Sequence, residues 1–130
     1  AQTLIYFIRL LEAGAGSHLP EKANGRFSMV YGYISKHLGD KIRLADLAAL
    51  VYMSPRNFQR IFTKENGISP SKYILKARLE KSRDYLRDTT WDIGMIAVKT
   101  GFQDHSYYTM QFNKMFGLSP REYRNTMQQR

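Results

Sequence analysis

The sequence predicts an all-α fold, and three observations carry that expectation. Apolar residues recur at helical spacing in one segment after another. Ser-Pro pairs and glycines punctuate the chain where helices should begin and end. The second half also repeats the first: Phe62, Lys64, Gly67, Ser69, Pro70 and Tyr73 return fifty residues on as Phe112, Lys114, Gly117, Ser119, Pro120 and Tyr123. The expected arrangement is about seven helices in two similar subdomains joined by a long linker helix, with one further helix in front.

Taken in order, Leu4, Phe7, Ile8 and Leu11 make one apolar face of a helix over residues 4–12. Gly14 to Pro20 and then Asn24-Gly25 have turn and linker chemistry. The opening Ala1-Gln2-Thr3 has neither an initiator methionine nor a basic leader and reads as a cut end, not a signal peptide. Residues 1–25 are therefore expected to be a helix and linker left from a missing N-terminal domain, and residues 26–130 the dense domain. Phe27, Val30, Ile34 and Leu38 share a stripe over 27–38, and Leu44 to Val51 form a short apolar helix. Ser54-Pro55 reads as a cap followed by proline at the first helical position, opening a helix that runs to about residue 66, where Gly67 stops it. Ser69-Pro70 opens the longest helix, to about Asp88. A second short helix over 93–100, a turn at Gly101-Phe102, a helix from about 105 to 116, the stop at Gly117 and a last helix from Ser119-Pro120 complete the chain.

Composition limits what such a chain does. With 20 Lys+Arg against 11 Asp+Glu the formal charge is +9, which favours polyanions: nucleic acid or an anionic surface. The absence of cysteine excludes disulfides, thiolate-bound zinc and thiol chemistry. No apolar run approaches the roughly 18–20 residues that span a bilayer. His18, His37 and His105 are scattered without metal spacing, and no nucleophile accompanies them, so neither an enzyme nor a bound cofactor is expected.

In each repeat a short apolar helix, a tight turn and a longer helix with one polar side follow one another, the pattern of a helix-turn-helix whose second helix enters a major groove. The brace helices carry small residues, Ala48 and Ala97, where helices approach closely. In the first unit Phe58, Ile61 and Phe62 form the core stripe, with Arg56, Gln59, Arg60 and Thr63 opposite and Lys64 further along. In the second, Tyr108, Phe112 and Met115 face the core, with Ser106, Thr109, Met110 and Asn113 opposite and Lys114 following. Arginine suits guanine and glutamine suits adenine as bidentate partners. Two such units in register, each ending Gly-(Ile/Leu)-Ser-Pro-x-x-Tyr, point to duplex DNA; a basic helical module for RNA or protein is the alternative left open.

With these residues in place the sequence resembles the AraC/XylS family of bacterial transcription regulators. Leu44–Tyr73 is similar to that family's first helix-turn-helix. Ile93–Tyr123 is similar to its second and carries Ile96-Ala97, Gly101-Phe102, Tyr107-Tyr108, Phe112, Phe116-Gly117 and Ser119 to Tyr123. Arg78 to Ser82 and Leu86 fit the linker. The resemblance implies sequence-specific binding of double-stranded DNA, with Arg56, Gln59, Arg60, His105, Ser106, Thr109 and Met110 reading bases. Ser54, Asn57, Lys64, Tyr107 and Lys114 are the expected backbone contacts. It further implies a cytoplasmic, nucleoid-associated regulator, with RNA polymerase as a partner of the whole protein and dimerisation through the missing N-terminal domain.

Three positions depart from the family's pattern: Met110 where a basic residue is usual, Arg43 where a Ser or Thr cap is usual, and Met95 where a carboxylate would complete a capping box behind Asp92. The basic residues Lys76, Arg78, Lys81, Arg83 and Arg87 on the linker, interrupted by Glu80 and Asp84, are expected to be mostly a solvated helix face with some phosphate contact. Asp104 is expected to cap the last recognition helix, and Trp91 and most tyrosines to lie in the core.

Overall fold

The computed structural model describes residues 25–128, and among these there are seven helices and no strand. They are α1 (Ser28–Lys36), α2 (Leu44–Leu50), α3 (Pro55–Asn66), α4 (Pro70–Asp88), α5 (Ile93–Lys99), α6 (His105–Phe116) and α7 (Pro120–Gln128). The expected helix over 4–12 lies outside the described residues. The first short helix is tighter than its apolar stripe suggested: Phe27 is the residue before it and Leu38 belongs to the loop after it.

Local chemistry explains the boundaries. Ser54 and Ser69 sit in extended backbone at the starts of α3 and α4, and their Oγ atoms accept from the N–H groups of Asn57 and Lys72, both at 3.2 Å. Ser119 and Glu122 form a full capping box at α7: each side chain accepts the other's backbone N–H, at 3.0 and 2.8 Å. Gly67 and Gly117 end α3 and α6 in the left-handed conformation, φ 79° and 81°. Arg43 and Asp92, by contrast, begin the two brace helices without any side-chain cap.

Two cores result. Phe27, Val30, Ile34, Leu47, Ala48, Phe58, Phe62 and Ile74 close the first; Leu79, Leu86, Ile96, Ala97, Phe102, Tyr108 and Phe112 close the second. Helix α4 serves both, through Ile74 at one end and Leu79 and Leu86 towards the other. The repeated tyrosines now have a reason: Tyr73 stands edge-on to Phe62 and Tyr123 edge-on to Phe112, with centroids 5.4 and 5.9 Å apart. Truncating either fully buried phenylalanine to alanine should cost about 3–5 kcal/mol.

The basic stretch of α4 is not the solvated face expected of it. Arg83 is 7% exposed and lies over the Phe116 ring, 4.4 Å from guanidinium carbon to centroid. Arg78 donates from Nε to the Leu38 carbonyl at 2.9 Å and from Nη2 to the Asp40 carbonyl at 2.7 Å, and its burial lowers its pKa. Helical spacing identified an amphipathic helix but could not show that the second subdomain and the α1–α2 loop cover its polar side. Arg87, which pairs with Asp84 and Asp88 near the surface, matches the expectation. On α7, Arg124 donates to the carbonyls of Leu86, Thr89 and Trp91, stapling the last helix over the end of α4.

Candidate nucleic-acid interface

The two helix-turn-helix units share their backbone pattern. After α2 the N–H groups of Tyr52 and Met53 bond to the carbonyls of Ala49 and Ala48; after α5 those of Gly101 and Phe102 bond to Val98 and Ala97. These two bonds correspond one for one, while the residue before them differs: the Val51 N–H bonds to the Ala48 carbonyl and the Thr100 N–H to that of Ile96. The second turn reaches its recognition helix one residue later, through Gln103-Asp104 in place of Ser54 alone.

On α3, Phe58 and Phe62 are fully buried while Arg56, Gln59, Arg60 and Lys64 are exposed. Arg60 is already held along the helix: its Nη2 donates to Oδ1 of Asn57 at 2.7 Å. Asn57 is half-buried, and its backbone N–H is taken up by the Ser54 cap. At the far end, Tyr31 on α1 donates to Glu65 at 2.9 Å, fixing α3 against the first helix.

On α6, Asp104 Oδ1 accepts from the N–H groups of Ser106 and Tyr107 at 2.8 and 3.4 Å, the expected cap. Tyr108 and Phe112 are buried; His105, Ser106, Met110, Asn113 and Lys114 are exposed, Met110 to 56%. Tyr107 is 44% exposed, with its ring 6.3 Å from that of Phe102.

One expected reader differs. Thr109 is half-buried: it lines a groove with His105 between the start of α5 (Asp92, Ile93, Gly94) and the start of α7 (Ser119, Pro120, Arg121). Its counterpart Gln59 is exposed. Thr63, also expected to face out, is half-buried too.

Other candidates have structural explanations. His37 stacks on Tyr33 with its Nδ1 2.8 Å from the Tyr33 carbonyl oxygen. Trp91 packs against Tyr85 beneath the ammonium of Lys99. Among the described residues, no group of three His, Asp or Glu side chains is placed to hold a metal, and no helix is long and apolar enough to cross a membrane.

A helix-turn-helix domain family is matched by residues 47–126, from inside the first brace helix to the last helix. A transcriptional regulator of Chromobacterium violaceum, described as an AraC-type DNA-binding domain-containing protein, has the same fold, with a TM-score of 0.75 and 27% identity over 80% of this chain and 93% of that one. The chain belongs to the AraC-type helix-turn-helix family. Sequence-specific DNA binding in the regulation of transcription is the function of this domain. Regulatory protein PocR of Salmonella typhimurium is 32% identical over 113 residues, 87% of this chain and 37% of PocR. The DNA-binding domain of AdpA, solved with a target DNA, shares the fold at a TM-score of 0.76, 24% identity and coverage of 82% of this chain and 96% of that one. The chain spans about two fifths of the length of the curated relatives it matches.

Proposed function

We propose that this chain is the DNA-reading part of a longer bacterial regulator and places α3 and α6 in successive major grooves on one face of an asymmetric duplex site. The observation that carries this reading is the pair of matching turns, each presenting a polar, exposed helix face on its own core. The spacing supports it: the 19 residues of α4 extend about 28 Å at roughly 1.5 Å each, against about 34 Å for one turn of DNA.

In this reading Arg56, Gln59 and Arg60 read bases in the first groove. His105, Ser106 and Met110 read the second, with Thr109 at its edge. Lys64, Lys114, Tyr107 and the helix starts at Ser54 and Asn57 meet the phosphate backbone. Residues 1–25 connect residues 26–130 to an effector domain that dimerises. RNA polymerase is the further partner, and the cytoplasm the place of action. AdpA's complex with a target DNA and the naming of the Chromobacterium protein as a transcriptional regulator support the reading.

The test is selection of binders from a random duplex library, then footprinting of the preferred site. Two protected patches one helical turn apart are expected, with affinity falling about 10³–10⁵-fold between 50 and 200 mM salt if six to ten phosphates are neutralised. A flat salt response, or equal affinity for duplex RNA, would sink the proposal.

A further inference from the structure

The two turns agree in backbone and differ in what stands behind them. Tyr52 and Gly101 hold the same place, and both are left-handed, φ 57° and 95°. The first turn tolerates a full side chain there: Tyr52 is 97% exposed. A Cβ on Gly101 would lie 2.3 Å from the Leu38 carbonyl oxygen and 2.6 Å from Nε of Arg78. Close approach, beyond the dihedral angle, thus demands glycine at 101, and what approaches is the α1–α2 loop of the first subdomain. The approach is mutual: a Cβ on Gly39 would lie 2.7 Å from the Lys99 carbonyl oxygen, although the backbone of Gly39 is not left-handed. Arg78 closes the joint from α4 through its two bonds to the Leu38 and Asp40 carbonyls.

We infer that this joint sets the distance and rotation between the two recognition helices, and so decides which half-site spacing the protein accepts. Arg78 is its positioning residue and Gly39 and Gly101 are its contact points. The two cores are separate, and each stands on its own part of α4. A single helix is one line of attachment and bends gently along its length. The joint is a second attachment, off the helix, and two attachments fix a rotation that one does not. The angle matters because adding one base pair between half-sites turns the second by about 35° and moves it about 3.4 Å.

The inference rests on the two-groove reading, and the experiment separates the two. Gly39→Ala wedges the joint without requiring a glycine dihedral. Arg78→Lys keeps the charge but replaces the two-pronged guanidinium with a single ammonium. Gly32→Ala on α1, where a Cβ meets nothing within 4 Å, is the control. Dissociation constants are measured on the selected site, on that site with one base pair added or removed between its halves, and on each half alone. The wild type and the control should bind the altered spacings at least about tenfold more weakly. In Gly39→Ala and Arg78→Lys that penalty should shrink to about threefold or less, with half-site affinity and helical content unchanged. Variants that keep the full spacing penalty, or lose as much affinity on isolated half-sites as on the whole site, overturn the inference alone. A wild type with no spacing penalty overturns the two-groove reading and the inference with it.

Discussion

Arg83 lies over the ring of Phe116, a cation from the middle of the linker helix covering an aromatic from the end of the second recognition helix. The contact is shielded from solvent, so the Arg83 stem and guanidinium act as packing between α4 and α6. Arg83→Ala should lower the unfolding free energy by about 1–3 kcal/mol, mainly through lost packing. The slope of log affinity against log salt should stay as in the wild type, since the side chain neutralises no phosphate. Denaturant melts and a salt series on one duplex check both halves; a shallower slope with unchanged stability would return Arg83 to the DNA surface.

Glu80 gives the fold a specific pH response. Burial, against the pull of Lys76 and Arg83, pushes its carboxyl up to about 6 from an ordinary 4.5, with Asp84 adding in the same direction. Folded protein thus holds this proton more tightly than unfolded chain. Between pH 4.5 and 6 the folded state binds more protons, so this group's contribution favours folding below 4.5 and is lost as pH rises through 6. Glu80→Gln should remove that component. The stability difference, variant minus wild type, should grow by up to about 2 kcal/mol from pH 4.5 to 6.5 and then level off. A difference that is flat, or that shrinks with rising pH, would contradict the assignment.

What could be read in the sequence was local. Ser54-Pro55, Ser69-Pro70, Asp104, Gly67 and Gly117 act within three or four residues of themselves, so their spacing places both ends of each recognition helix and the start of the linker helix. The apolar stripes fixed the phase of α3 and α6 well enough to set Arg56, Gln59, Arg60, Ser106 and Met110 outside. The unreadable parts depend on partners far along the chain. Arg78 and Arg124 bond to main-chain carbonyls 33 to 40 residues away, which no side-chain pattern announces. Thr109 is half-buried because the starts of α5 and α7 flank it, a neighbourhood created only by the packed second subdomain.

Arg56, Gln59 and Arg60 are exposed on α3, so replacing them should disturb binding and not folding. Each alanine variant should cost roughly 1–3 kcal/mol on the selected site and relax preference at one or two base pairs. Asn57→Ala should have a smaller effect of the same kind, by releasing the Arg60 guanidinium that Asn57 holds at 2.7 Å. Anisotropy titrations against single-base-pair variants read the preference, and circular dichroism the fold. A variant that loses helical signal would show that its side chain supports the core.

The second recognition helix should be the weaker reader. Base discrimination in the major groove comes mainly from bidentate donors and acceptors. Where α3 offers Arg56, Gln59 and Arg60, α6 offers Ser106, the half-buried Thr109 and Met110. Serine pairs with several bases, and a thioether has no donor; Met110 can only pack against a thymine methyl. This half should therefore depend on phosphate contacts from Lys114 and the helix start, and base changes beneath it should cost less than changes under α3, except where a thymine methyl is lost. Met110 is 56% exposed, so Met110→Arg buries no charge and should leave the melting temperature within a degree or two, about the effect of a surface change. An arginine there supplies the fork that guanine O6 and N7 accept. Reselection with the variant should yield tighter sites with guanine under α6, a gain of about 1–3 kcal/mol. A strong guanine requirement in that half of the wild-type site, or a marked drop in the variant's melting temperature, would refute this account of α6.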